Sequence, residues 1–544
     1  MGVKLVFNKD LFRGYIYLVG FRLIRYLFWI LLVLAIVTIK HGLFPLFAFL
    51  FILDLILLVA LNNLKNQKIK TFNTGQDITR DNDQSTLLII NKENIKPTSF
   101  NKLDFSYGWI NLLEQEIGNF DILDTTQINE KTIKNRKLIV LTTSAKDTIN
   151  IPNLLKHVEK GNTLIIDNKN QEIDYQIKLY INYFGNLYSK KHKKGGIIFL
   201  DFNLGKRLTE IQQGKPNNNY TLKNKHGIKE FKDTQSLIFS KQFQNNTKPY
   251  ADVAKKTIIQ EVEQYTEIPR LYNHQYKYDG TLIITHDEDY YGDKILYMQD
   301  IEKTQNNTST FFLNQSSNKA PEELDSVGLH FDLFLNKSYQ QQKQELETKA
   351  KKNIVLNRNH FMLWQNHYTN MFNLLKTNNI EIDSSYGPNY GKGYLFGTGS
   401  HFQPIDTNGK PINIKELPFH TLEDRAKNSK QFQETLLKQS KNQYHNTLSF
   451  LFHPNLSENE SISKELWLNS FKLSKKYNHQ ITNLNKYNEF HKARTKTIIK
   501  NKEIITTNNN QSLITKYKKS KHRTITILNK KYSLIQLKKG RNKL

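Results

Sequence analysis

The sequence predicts an α/β protein built on parallel sheets, and three observations carry that prediction. Short runs rich in Ile, Leu and Val, among them residues 87–90, 137–141, 163–166 and 197–200, alternate with stretches of helical spacing, as in a sheet covered by helices. The run Thr281–Ile284 is apolar without polar alternation, which suits a strand buried on both faces. That run then stops at His286, Asp287, Glu288 and Asp289, and α/β folds gather their chemistry where parallel strands end.

Taken in order, the chain opens with its most apolar part. Residues 15–39 and 43–61 are separated by Lys40, His41 and Gly42, and the 19 residues of the second stretch would rise about 28 Å as a helix, close to the hydrocarbon thickness of a bilayer. Residues 1–65 are therefore expected to form a transmembrane hairpin, with Arg22 and Arg25 snorkelling toward one face. A secretory signal peptide fits less well, because there are two long spans and no small-residue cleavage site. Lys4, Lys9 and Arg13 before the hairpin and Lys65, Lys68 and Lys70 after it favour both ends on the cytoplasmic side. Residues 66–86 are polar and read as a linker.

Residues 87–210 are expected to form a first α/β domain. Helical spacing runs from Tyr107 to Ile117 and from Ile151 to Lys160, with Gly161 placed as a C-cap. The segment resembles flavodoxin-like domains and those of class I glutamine amidotransferases. An amidotransferase needs a cysteine nucleophile, and the chain has none. No glycine-rich nucleotide loop is present either, so a binding or positioning role is expected. Residues 211–250, with Asn217–Asn219, read as a linker or excursion. Ala251 to Gln264 is expected to be the helix that leads into the next domain.

The chain has 544 residues, enough for two or three domains, and its formal charge is +28. Such a balance raises nucleic acid and anionic surfaces as partners. The lysines are spread through a sequence equally crowded with Asn and Ile, and no zinc-finger, basic-zipper or RNA-recognition spacing appears, so nucleic acid is not expected. Absent cysteine excludes disulfides, thiolate metal sites and a cysteine nucleophile. Residues 496–544 hold fourteen Lys or Arg against Glu503 alone. There Thr524–Leu528 and Tyr532–Leu537 flank a turn and predict a small basic β appendage, suited to anionic phospholipid or wall polymer, or to being a solvated sheet edge kept soluble by lysine.

The chemistry concentrates between residues 251 and 495. Asp287 and Asp289 are two apart, so on an extended strand both carboxylates face one way. Ser326–His330 and Leu448–His453 are two further apolar runs that end in a histidine. Three strands ending in Asp, His and His describe the mouth of a barrel. Tyr290 and Tyr291 offer rings on which a sugar could stack, although local packing is the commoner use of such a pair. Phe361–Trp364 and Met371–Leu375 have helical spacing, which places Trp364 in a core. His367 and His401 are expected to be ordinary loop or surface histidines. Tyr386–Gly399, rich in glycine and aromatics, predicts a shaped loop, and Glu416–His420 the strand after it.

The order of these strand ends resembles the polysaccharide deacetylases of the NodB-homology type, over residues 275–495. The resemblance implies a distorted (β/α) barrel that removes N- or O-acetyl groups from cell-wall or matrix sugars with a divalent metal, expected to be zinc. It implies Asp287 as general base, Asp289 as metal ligand, His453 as general acid, His330 as first metal histidine and Arg358 as the residue orienting Asp287. It also implies a substrate-groove loop at Asp383–Gly387, and Tyr386–Gly399 would suit one groove wall.

Two departures stand out. The carboxylates are spaced by Glu288, which could itself take the second role. The position four after His330 is Phe334, so the family's second metal histidine is missing, and His360 and Asp332 are the nearest residues to complete the set. The expected protein is a membrane-anchored deacetylase of an acetylated polysaccharide, in a bacterial plasma or inner membrane with its barrel outside, against the charge bias. A catalytically inactive glycan-binding pseudoenzyme and a membrane scaffold are the alternatives.

Overall fold

The computed structural model describes residues 75–167, 178–181, 183–214, 232–233, 246–289, 295–314, 321–335, 337–364, 368–388, 392–423, 428–454, 461–500, 502–516 and 522–543. The chain divides into two compact units, residues 1–71 and 72–544. The expected hairpin lies outside the described residues, as do most of residues 211–250, Tyr290, Tyr291 and His367. Among the described residues no helix is long and apolar enough to cross a membrane.

Seven strands form the first sheet: β1 (Thr86–Ile90), β2 (Asp121–Asp124), β3 (Leu138–Leu141), β4 (Thr163–Ile166), β5 (Lys178–Ile181), β6 (Gly185–His192) and β7 (Gly195–Leu200). Their order is β2-β1-β3-β4-β7-β6-β5. The first five in that order run parallel, and β6 and β5 follow antiparallel. The beginning, β2-β1-β3-β4, is the doubly wound order. Its strands are buried on both faces because alternate residues enter two cores. Leu88, Ile90 and Val140 face one, while Leu87, Ile89 and Leu141 face the other.

All four strands expected here are present, and Gly161 takes φ +101 just beyond the helix Ile151–Val158. Strands β2, β5 and β6 carry too much Asp, Lys and Asn to be read from apolar runs. At the C-terminal ends of β1 and β3, where such a sheet has its crevice, the polar groups satisfy one another. Ser144 Oγ accepts from the Asn91 amide at 3.0 Å, and Ser106 Oγ from the Ser144 amide at 3.1 Å.

The second sheet has nine strands: β8 (Gly280–Glu288), β9 (Thr310–Leu313), β10 (Val327–Phe331), β11 (Leu356–Asn359), β12 (Ile382–Asp383), β13 (Lys415–Glu416), β14 (Thr421–Leu422), β15 (Thr447–Phe452) and β16 (His479–Thr482). The path is β13-β12-β11-β10-β9-β8-β15-β14, with β16 also pairing β8. Every pairing is parallel.

Closure follows from connectivity. Strands β13 and β14 stand at opposite ends of this path, yet Glu416 and Thr421 are five residues apart, a span of at most about 18 Å. Eight strands laid flat would set those edges about 34 Å apart. The sheet must therefore curl into a barrel with one seam, which residues 417–420 cross. Leu417 N donates to Asp383 O at 2.8 Å and His420 N to Ser449 O at 2.7 Å, stitching both edges. The single strand expected over Glu416–His420 is thus two short strands on opposite sides of the seam.

Because the strands are parallel, their C-terminal ends share one rim. In β8 the pleat sends Leu282, Ile284 and His286 outward to the helix layer, where His286 Nε2 meets Glu302 Oε1 at 2.9 Å. Ile283 goes inward to a small core with Phe312, Leu356, Ile382 and Leu417. Thr285 and Asp287 share that inner face, at the rim.

Several segments differ from expectation. Phe361–Trp364 is no α-helix: a single 3-10 turn at His360–Met362 is broken by left-handed Phe361 (φ 52) and Met362 (φ 53), and Leu363–Trp364 pairs antiparallel with Lys232–Asp233. Trp364 is fully buried, as expected of a core residue. Tyr386, Tyr394, Leu395 and Phe396 are buried in the main barrel core rather than lining a groove. His401 is half-buried rather than a free surface histidine, because it packs on Tyr487 and His491.

The basic C-terminus forms the expected hairpin, Arg523–Ile527 against Lys530–Gln536, turned by Leu528 (φ 44) and Asn529 (φ 69). It is built into the molecule. Ser512–Lys516 pairs with Arg270–Leu271, and Tyr532 Oη donates to Glu263 on the helix Tyr250–Tyr265.

Gly393 gives a first prediction. At φ +98 its Cβ position lies 2.1 Å from the Asn246 carbonyl oxygen. Gly393→Ala is expected to cost about 2–4 kcal/mol in urea denaturation of the full chain, from left-handed strain plus the forced shift.

Candidate metal centre and active site

The rim collects side chains from five strand ends. Asp289 follows β8, His330 lies in β10, His360 follows β11, Glu423 follows β14 and His453 follows β15. One oxygen of Asp289 and one ring nitrogen from each of His330 and His360 lie within 4.8 Å of one another. His330 Nε2 is 3.3 Å and His360 Nε2 3.5 Å from Asp289 Oδ1.

The other ring nitrogens fix what these atoms can do. His330 Nδ1 lies 3.2 Å from the Arg358 carbonyl oxygen and His360 Nδ1 lies 3.3 Å from Asp332 Oδ2. Both partners are acceptors, so each Nδ1 carries the proton and each Nε2 points a lone pair at the Asp289 carboxylate. Three electron-rich atoms then converge, an arrangement that a cation between them satisfies. Histidine ligands oriented by a carbonyl or carboxylate behind them are the usual surroundings of a bound metal. The donor set of two nitrogens and one oxygen fits zinc or a related ion. Without a cation, a proton must serve. Burial alone lowers the His330 pKa, but Asp287 and Asp289 outweigh it and raise it, while the histidines in turn hold Asp289 down at about 2 against its burial.

Asp287 lies beside this cluster. Arg358, fully buried, donates to Asp287 Oδ1 at 2.9 Å and to Thr285 Oγ1 at 2.8 Å. The guanidinium is fixed from behind by Ser384 O and Ser384 Oγ, both at 2.8 Å, and sits between the rings of Phe312 and Phe419. Asp383 and Glu416 lie behind it, hydrogen-bonded to each other; burial raises both pKa values, and the Asp383 charge and hydrogen bond add to the rise of Glu416. A pair that keeps a proton leaves more of the Arg358 charge to Asp287. The segment Asp383–Ser385, expected in a groove, is fully buried and serves this support.

Across the cluster, His453 Nε2 lies 3.6 Å from Asp289 Oδ2. Its Nδ1 is hydrogen-bonded to Glu423 Oε1, and the His453 amide donates to Glu423 Oε2 at 2.6 Å. Burial pulls the His453 pKa down, yet Glu423, Asp289 and Asp287 outweigh it and lift it to about 10. Glu423 was not singled out in the sequence, since it follows a strand of only two residues.

His453 gains a proton-stabilising field on folding, so its contribution to stability is present below about pH 6.5 and lost as pH rises through about 10. Glu423→Gln removes the main source of that field. The alkaline limb of the kcat/KM profile is expected to move down in pH, toward the ordinary imidazole range, with the acidic limb kept.

The structure thus brings Asp287, Asp289, His330, Arg358, His360 and His453 to one rim. Glu288 lies on the same strand, and Asp332 stands behind His360 rather than in the cluster. Phe334, at the position of the absent histidine, lies edge-on to Phe361 at 6.1 Å. Phe361 and Met362 are consecutive left-handed residues, at about 1–2 kcal/mol each.

Fold and site define a parallel α/β barrel that holds a candidate metal-binding cluster at its rim, with a carboxylate–arginine pair and a histidine–glutamate pair beside it. Solved structures to which the chain is similar include polysaccharide deacetylases. One from Mycobacterium smegmatis, described as a putative polysaccharide deacetylase, gives a TM-score of 0.30 at 13% identity, over 40% of this chain and 92% of that chain. A polysaccharide deacetylase from Bacillus cereus gives 0.25 at 14%, over 38% and 91%. The peptidoglycan deacetylase of Bacillus subtilis gives 0.25 at 14%, over 41% and 94%. No family model matches the sequence, and no curated protein matches it.

Proposed function

We propose that this protein is a metal-dependent deacetylase that hydrolyses N- or O-acetyl groups on a cell-wall or matrix polysaccharide. The observation that carries the reading is the convergence of Asp289, His330 and His360 within 4.8 Å beside Asp287 and His453. A divalent ion held there, zinc in our reading, would supply a Lewis acid that polarises the acetyl carbonyl and an attacking water. Asp287, oriented by Arg358, takes the proton from that water. His453, kept protonated by Glu423, gives a proton to the departing amine or alcohol. Acetate and the free sugar amine or hydroxyl are the products.

Asp332 and the Arg358 carbonyl fix the tautomers of the two ligand histidines, so the cluster's donors are preset. Membrane anchoring through residues 1–65, with the barrel on the outer side of a bacterial plasma or inner membrane, belongs to the same proposal and is supported by the apolar spans of the sequence.

The test is acetate release from acetylated xylan and from oligomers of N-acetylglucosamine by the full chain, before and after stripping with a chelator and after return of zinc. Activity lost on stripping and regained with zinc supports the reading. A chain that takes up no metal, or takes it up and releases no acetate from either glycan, overturns it. Proteolytic mapping of membrane-inserted chain tests the anchor.

A further inference from the structure

Phe361, like Tyr183, is a large exposed aromatic on a left-handed backbone, and of these two it is the one that stands at the rim. Its side chain is 50% exposed, while its neighbours His360 and Met362 are 4% and 7%. Both Phe361 and Met362 are left-handed, a conformation that Asn, Asp or Gly accepts with less strain than a bulky side chain. Phe361 is therefore disfavoured at this position on two counts, by its backbone and by the water around its ring.

The placement is held from both sides. Met362 packs with Phe419 and Leu451, and Asn359 Nδ2 donates to Leu363 O at 2.7 Å, closing the turn. The result is a ring set over a candidate metal ligand. It lies on the His360 imidazole at 3.9 Å between centroids and 25° between planes, with Phe334 edge-on to it at 6.1 Å. One face rests on His360, the residue follows β11 at the rim, and half of it is exposed.

We propose that Phe361 is a stacking platform for a sugar ring of the substrate, and that it makes the site select a pyranose carrying the acetyl group over an acetyl group alone. The chemistry is a match of surfaces. The C–H groups on one side of a pyranose form an apolar, weakly positive face, and the face of an aromatic ring is apolar and weakly negative. Ring on ring beside His360 limits the directions from which the acetyl carbonyl can reach the cluster. This inference rests on the deacetylase reading and adds the residue that recognises the carbohydrate.

The test uses the zinc-supplemented full chain with Phe361→Ala and Phe361→Trp. The probes are an N-acetylglucosamine pentamer, acetylated xylan, and 4-nitrophenyl acetate, an acetyl ester without a sugar ring. Phe361→Ala is expected to weaken the calorimetric Kd for the better-bound glycan about tenfold and to raise KM alike, with kcat little changed. Phe361→Trp is expected to restore both, while 4-nitrophenyl acetate turnover and zinc content stay at wild-type levels.

Equal Kd values for wild type and Phe361→Ala would overturn the platform and leave the deacetylase reading standing. So would a parallel loss toward 4-nitrophenyl acetate, or a fall in zinc content, because Phe361 would then only support His360. A wild-type chain that binds neither glycan and cleaves no probe would overturn both proposals together.

Discussion

Replacing Asp287 by Asn is expected to lower kcat by about 10²–10⁴-fold, the range that a positioned general base contributes, while KM and metal content stay near wild type. The geometry makes this substitution informative. Arg358 donates to Asp287 Oδ1 at 2.9 Å, and an asparagine carbonyl can accept the same bond, so the side chain keeps its place and loses only its basicity. Asp289→Ala, in contrast, is expected to reduce metal content as well as rate. Single-turnover acetate release together with metal analysis separates the two. An Asp287→Asn chain with full activity would remove Asp287 as the base and turn attention to Glu288 on the same strand.

Arg358→Met is expected to destabilise the full chain by about 3–5 kcal/mol, the cost of breaking a buried ion pair from one side. Arg358 and Asp287 are 0% and 5% exposed, so the carboxylate would be left charged and dry. The same substitution removes bonds to Thr285 and Ser384. Urea denaturation of Arg358→Met, Asp287→Asn and the double variant measures the coupling. The double variant is expected to be less destabilised than the sum of the singles, because no uncompensated charge remains. An additive result would mean that Arg358 contributes through its bonds to Thr285 and Ser384 and its packing against Phe312 and Phe419, and not through Asp287.

What the sequence made legible was set by local rules. The apolar run of β8, the histidines closing β10 and β15 and the glycine after residue 160 each report on their own neighbours, and the structure has them where the pattern puts them. His360 was the nearest histidine to complete a metal set, and it does lie 3.5 Å from Asp289.

The misses share a cause, which is that distant parts of the chain decided them. The spacing of Phe361–Trp364 suits a helix, but pairing of Trp364 with Lys232 across 132 residues and two left-handed residues prevent one. Tyr386–Gly399 has the composition of a surface loop, yet its aromatics fill a core that only the closed barrel creates. Glu423 carries no local signal, since its part depends on the seam that brings β14 beside β15.

The pairing of β8 also constrains how the protein can be made. Its neighbours β15 and β16 lie more than 150 residues further along. A nascent chain must therefore carry this buried strand with an open edge until nearly all of the barrel has left the ribosome. Helix Tyr250–Tyr265 is buried against the first sheet, and Arg270–Leu271 waits for Ser512–Lys516. Fragments cut at either border would lose partners that the rest of the molecule supplies, so late synthesis, rather than any single contact, is where this chain is most exposed to aggregation.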